Sequence, residues 1–148
     1  MFAINLDQVV ATVQRPVEIT RETLLGLISS WLESRDLEWI KKINAPVVAD
    51  GLTIKDFKTG AMSHPDWPAS YLIMVHPKCH VPFVFEDVEN EGVISFEMHV
   101  NLESCIRGLN VLAKKNPKRF DNIVNGNYDA NDAEAWAECM VYGDIVFA

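Results

Sequence analysis

The chain has 148 residues, 49% of them apolar and 23% charged, with a net charge of −8. That length suits one hydrophobic core, and the apolar content excludes a disordered tail protein. The acidic balance disfavours direct nucleic-acid binding, which depends on neutralising phosphates with Lys and Arg.

The acidity is uneven. Residues 1–74 carry 7 basic against 9 acidic side chains, whereas residues 75–148 carry 6 against 12. Long-range attraction therefore favours a basic partner surface. No run reaches the ~18 apolar residues that span a bilayer. The N-terminus has Asp7 early and no basic segment before an apolar block, unlike a secretory signal. A single domain over 1–148, cytoplasmic and without a membrane partner, is expected. Three widely spaced cysteines, Cys79, Cys105 and Cys139, form no CxxC pair and fit reduced thiols.

In chain order, "EITRETLLGLISSWLES" predicts a helix, with Thr20 as N-cap, Leu24, Leu27, Ile28 and Trp31 at helical spacing, and Ile19 with Leu24 as a hydrophobic staple. Gly26 weakens it unless close packing requires a glycine. "DLEWIKKINAP" fits a strand or a short helix. "VVADGLTIKDFK" predicts a strand from about 52 to 58 after an Asp-Gly turn, and "TGAMSHPDWPAS" a loop.

The runs "SYLIMV", "HVPFVFEDV" and "VISFEMHV" predict a β-meander over 70–100, made of two consecutive hairpins. In the first, Met74 faces Val81 and Leu72 faces Phe83. In the second, flanked by Val88 and Val93, Phe85 faces Phe96, Phe83 faces Met98 and Val81 faces Val100. One face is then a continuous apolar layer, which fixes the register. Tyr71, Ile73 and Val84 would form an apolar patch on the other face.

Helices must cover the layer. "NLESCIRGLNVLAKK" predicts one capped by Asn101, with Leu102, Ile106, Leu109 and Leu112 on its inner side. "PKRFDNIV" starts a second from a proline at N1. "NDAEAWAECMVY" makes a third, with Gly143 as C-cap, and "DIVFA" follows as a short strand or as more helix. The fold class expected is α+β: an antiparallel sheet of about four strands, one N-terminal helix and two to three C-terminal helices.

Chemistry-bearing motifs are sparse. "VHPKCHVPF" holds His76, Cys79 and His80, but its spacing matches no zinc knuckle, and Pro77 suits a β-turn. A metal site would need His64, His80 and His99 to converge. Cys79 between two histidines, and the local "SHPD", supply neither a positioned base nor oxyanion donors. No phosphate-binding glycine motif occurs. Trp67, between two prolines, is a candidate hot spot.

The stretch "NGNYDANDAEAWAECMVYGDIVFA" resembles the C-terminal ends of small uncharacterised proteins encoded by phages and other mobile elements. The resemblance implies an accessory or inhibitory role toward a host protein, with no catalytic residues and no cofactor. At the level of fold, the expected element order resembles secretion-chaperone-like proteins. The expectation is a non-enzymatic, acidic protein-interaction module. It would bind a host or cellular protein with a basic surface through Trp67, Tyr71, Asp129, Asp132, Glu134 and Glu138. The alternatives are a metal-binding protein or metal-dependent hydrolase using His64, His80 and His99, a secretion-chaperone-like protein, and a homodimer.

Overall fold

The structure, a computed structural model, describes residues 17–34, 38–87 and 95–148. Helix α1 spans Arg21–Leu32 and is followed by strand β1, Ile40–Ile43, and two one-and-a-half-turn helices, α2 at Ile54–Thr59 and α3 at Ala69–Met74. Strands β2, Val81–Glu86, and β3, Ser95–Val100, come next. The chain then runs through α4, Leu102–Lys115, α5, Pro117–Val124, and α6, Ala130–Tyr142. The fold is α+β, with one three-stranded antiparallel sheet in the order β1-β2-β3 and six helices among the described residues.

Local signals account for the helix ends. Thr20 caps α1 by accepting the Thr23 N–H, Asn101 caps α4 by accepting the Ser104 N–H at 2.8 Å, and Asp129 caps α6 by accepting the Asp132 N–H at 2.8 Å. Pro117 opens α5, where its missing N–H costs nothing. Gly143 ends α6 in the left-handed region at φ 73°, and its N–H returns to the Cys139 carbonyl.

The β2–β3 register is the one read from the sequence: Val81 opposes Val100, Phe83 opposes Met98 and Phe85 opposes Phe96. Residues 88–94, where the sequence predicts the turn flanked by Val88 and Val93 and which hold the acidic Glu89 and Glu91, lie outside the described residues. The ambiguous segment resolves to strand β1, whose Ile40 and Ile43 pair with Phe85 and Phe83 across an irregularity at Lys41. Leu37 of that segment is likewise outside the described residues.

Two expected strands are helices instead. The alternation in 52–58 belongs to α2, because the Asp56 carboxylate reaches back to the Thr53 N–H at 2.8 Å and closes a helical first turn. Only Phe57 of that helix is buried. "SYLIMV" is α3, entered directly from Pro68, and Ile73, Met74 and Val75 are all buried in succession. An apolar run that short is buried equally well as a helix or a strand, and its contacts with α1, α2 and β2 decide the matter.

The first hairpin is therefore absent, and β1 takes the place it would have had beside β2. The expected meander reduces to the antiparallel pair β2–β3, and among the described residues the sheet has three strands rather than four. Tyr71 and Ile73 leave the sheet altogether, so the apolar patch assigned to its outer face does not exist. "DIVFA" is neither strand nor helix but a tail laid back on α6.

The core lies between the inner sheet face and helices α1, α4 and α6. Trp31 is its centre, stacked on Phe83 at 5.5 Å and Trp39 at 5.8 Å and meeting Trp136 edge-on at 6.0 Å. Helix α6 is buried nearly all round. Small residues allow its neighbours to come close: a Cβ on Gly108 of α4 would lie 2.8 Å from Met140 Cβ. Gly26 has a similar reason to be glycine, since a Cβ there would lie 2.5 Å from the Tyr128 hydroxyl.

Candidate functional site

The segment "VHPKCHVPF" turns the chain from α3 into β2. His76 Nδ1 accepts the Lys78 N–H at 3.1 Å while its ring meets Phe57 edge-on at 5.6 Å. Cys79 is buried and its Sγ accepts the Ala49 N–H at 3.4 Å. His80 begins the strand region by bridging to Val47.

His80 and His99 do meet on the outer sheet face, stacked with ring centroids 4.2 Å apart and planes within 13°. Burial and the neighbouring His99 hold the His80 imidazole below its ordinary value, with Glu97 opposing. The lone pairs of an imidazole lie in the ring plane, so near-parallel rings aim side by side, and both reach one ion only if a ring turns. His64 sits elsewhere, beside Trp67 at 6.5 Å, with its Nδ1 accepting the Asp66 N–H. Among the described residues, no three His, Cys, Asp or Glu side chains are grouped to hold a metal ion.

The expected acidic surface divides. Asp129 is exposed as the cap of α6, and Glu134 is half-buried. Asp132 is only 6% exposed, held by the Asp129 N–H, Asn122 and the Arg119 guanidinium at 3.5 Å. Glu138 is fully buried. Asp132 and Glu138 thus have no surface to offer a partner, because both carboxylates satisfy internal donors. Trp67 and Tyr71 are half-buried against the core.

A different surface stands out. An open groove of about 1610 Å³ runs between the start of α1, the outer side of α4 and α5. Its apolar lining includes Leu24, Leu102, Ile106, Phe120 and Val124. Ile106 is 44% exposed and Val124 37% exposed, unusual for large aliphatic side chains that share one concavity. A smaller hollow, lined by Pro77, Leu102, Glu103 and Ile106, adjoins it.

The groove exists because α4 turns toward α6 the stripe of Cys105, Gly108, Leu109 and Leu112. Helical spacing alone puts Ile106 on that inner stripe. The glycine at 108 draws the packed face round toward itself, and Ile106 is left beside the groove. The carboxylates of Glu18 and Asp121 stand on the lining with no ion-pair partner among the described residues. Among the described residues the lining has one cation, Arg21, which donates from Nε to the Val75 carbonyl at 3.2 Å.

Comparison with protein-family models, with curated proteins and with solved structures returns no match for this chain.

Proposed function

We propose that the protein is a non-enzymatic, acidic protein-interaction module whose α1/α4/α5 groove takes an amphipathic helix carrying Lys or Arg beside its apolar ridge. The observation that carries this reading is the exposed Ile106 and Val124 in a groove whose charged rim is predominantly acidic. An apolar ridge at i, i+3, i+4 and i+7 spacing fills such a groove. Flanking cations would answer Glu18, Asp121 and the adjoining Glu103. A host or cellular protein with a basic helical surface is the partner this chemistry selects, in keeping with an accessory or inhibitory role for a phage or mobile-element protein.

The test uses two labelled helical peptides of equal length, one of Leu and Lys and one of Leu and Glu, read by fluorescence anisotropy. The Leu/Lys peptide should bind saturably and lose affinity with salt. Ile106→Glu should weaken it at least tenfold, and Asp121→Lys should weaken it less. Equal affinity for the two peptides, or binding indifferent to Ile106→Glu, would overturn the reading.

A further inference from the structure

Strand β3 is the last strand of the sheet, and among the described residues nothing pairs with its outer side. Which of its backbone groups face outward follows from its neighbours. The Glu86 N–H donates to the Trp39 carbonyl and the Asn44 N–H donates to the Pro82 carbonyl, so Pro82 and Glu86 turn their backbone toward β1. By alternation, Val81, Phe83 and Phe85 turn theirs toward β3, onto Val100, Met98 and Phe96. The N–H and C=O groups left at the open edge belong to Ser95, Glu97 and His99. An edge of this kind templates the pairing of another strand.

We infer that this edge pairs with the same edge of a second copy, antiparallel and centred on Met98, joining two three-stranded sheets into one of six strands. The strand's sequence, read about Met98, specifies the occupant. In that register Glu97 opposes the partner's His99 and His99 opposes the partner's Glu97, while Met98 meets itself and Phe96 lies opposite Val100. The outward-facing backbone groups of Glu97 and His99 then form two doubly bonded pairs across the two-fold axis.

The side chains on the solvent face complete a checkerboard. Within one chain His99 Nε2 already lies 3.5 Å from Glu97 Oε1, with both side chains more than half exposed. Adding the second copy surrounds each carboxylate with two imidazoles and each imidazole with two carboxylates. The neighbouring register, centred on Glu97, sets carboxylate against carboxylate and is disfavoured. This self-pairing leaves the α1/α4/α5 groove open.

The test is sedimentation velocity of the full chain over a concentration series reaching several hundred micromolar, with circular dichroism confirming the fold of each variant. Wild type should move from 16.7 kDa toward twice that mass. His99→Glu, which sets carboxylates against one another across the axis, should raise the dissociation constant at least tenfold. Adding Glu97→His to it exchanges the two side chains and should restore the wild-type constant within about threefold. Ile106→Glu, in the groove, should leave it unchanged. A wild type monomeric at every concentration, a double exchange that fails to rescue, or loss of the dimer in Ile106→Glu would each overturn the proposal.

Discussion

Glu138 offers the sharpest test of how this fold is closed. Its fully buried carboxylate receives the Val146 N–H at 2.7 Å, the Phe147 N–H, and the Ala148 N–H through both oxygens, at 3.2 and 3.0 Å. Phe147 stacks on Trp39 at 6.5 Å and meets Tyr142 edge-on at 6.4 Å, so the tail covers one side of the aromatic core. Each hydrogen bond to a charged acceptor contributes roughly 1.5–3 kcal/mol, against about 1 kcal/mol for a neutral one. Glu138→Gln keeps one acceptor oxygen, weakens two bonds and turns an amide N–H against the Ala148 N–H. The expected loss is about 2 kcal/mol. Glu138→Ala adds a cavity, for about 3 kcal/mol.

Release of the tail to water limits both losses, because Val146 is 41% and Phe147 54% exposed already. The decisive comparison is a double-mutant cycle between Glu138→Ala and removal of residues 146–148, read by urea unfolding. Truncation alone leaves a carboxylate without its donors and should cost about 2–3 kcal/mol. The two changes delete the same interaction, so their sum should exceed the double variant by about 2 kcal/mol. Strict additivity, or a Glu138→Gln variant within about 0.5 kcal/mol of wild type, would refute the view that this carboxylate holds the tail.

Gly108→Ala should destabilise by about 1–3 kcal/mol through overpacking, since its new Cβ lies 2.8 Å from Met140 Cβ and 3.0 Å from Trp136 Nε1; calorimetry should show a lower Tm. The folded chain holds His80 below the ordinary imidazole value of 6.5, so the unfolded chain binds more protons on acidification. Stability should therefore be fully present above about pH 6.5 and fall as pH drops from there to the lower folded-state value. His99→Gln removes one of the two causes, and the His80 ring resonances in NMR should titrate at higher pH than in wild type. Burial pushes the Cys105 thiol up to about 12 and that of Cys139 up to about 11. Both should resist alkylation in the native protein at pH 8 and react promptly in urea, as counted by mass spectrometry.

Of the candidate site, the sequence revealed the pieces that local chemistry governs. The caps Thr20, Asn101 and Asp129 and the αL stop at Gly143 need only neighbouring residues to act, so they are legible directly. The β2–β3 register is legible because Phe83, Phe85, Phe96 and Met98 must share one face, and a slip by one residue would expose them all. That same register makes His80 and His99 neighbours on the opposite face.

Tertiary packing decided the rest. "SYLIMV" has no periodicity that separates helix from strand, and contacts with α1, α2 and β2 made α3 from it. Residues 52–58 alternate like a strand, yet one side-chain bond from Asp56 closes a helical turn there. Glu138 and Asp132 read as surface charges in their local sequence, because nothing nearby marks the tail and the Arg119 guanidinium that bury them. The groove is hidden for the same reason. Ile106 reads as core by spacing alone, and only the close approach of α4 to α6 at Gly108 fixes which side of the helix faces inward. Sequence by itself determined where α1, α4, α5 and α6 begin and end and which faces of β2 and β3 are apolar, since those depend on caps and periodicity among near neighbours. The identity of α2 and α3, the burial of Asp132 and Glu138, and the face of α4 left open for a partner depend on contacts between distant residues, and the tertiary structure alone set them.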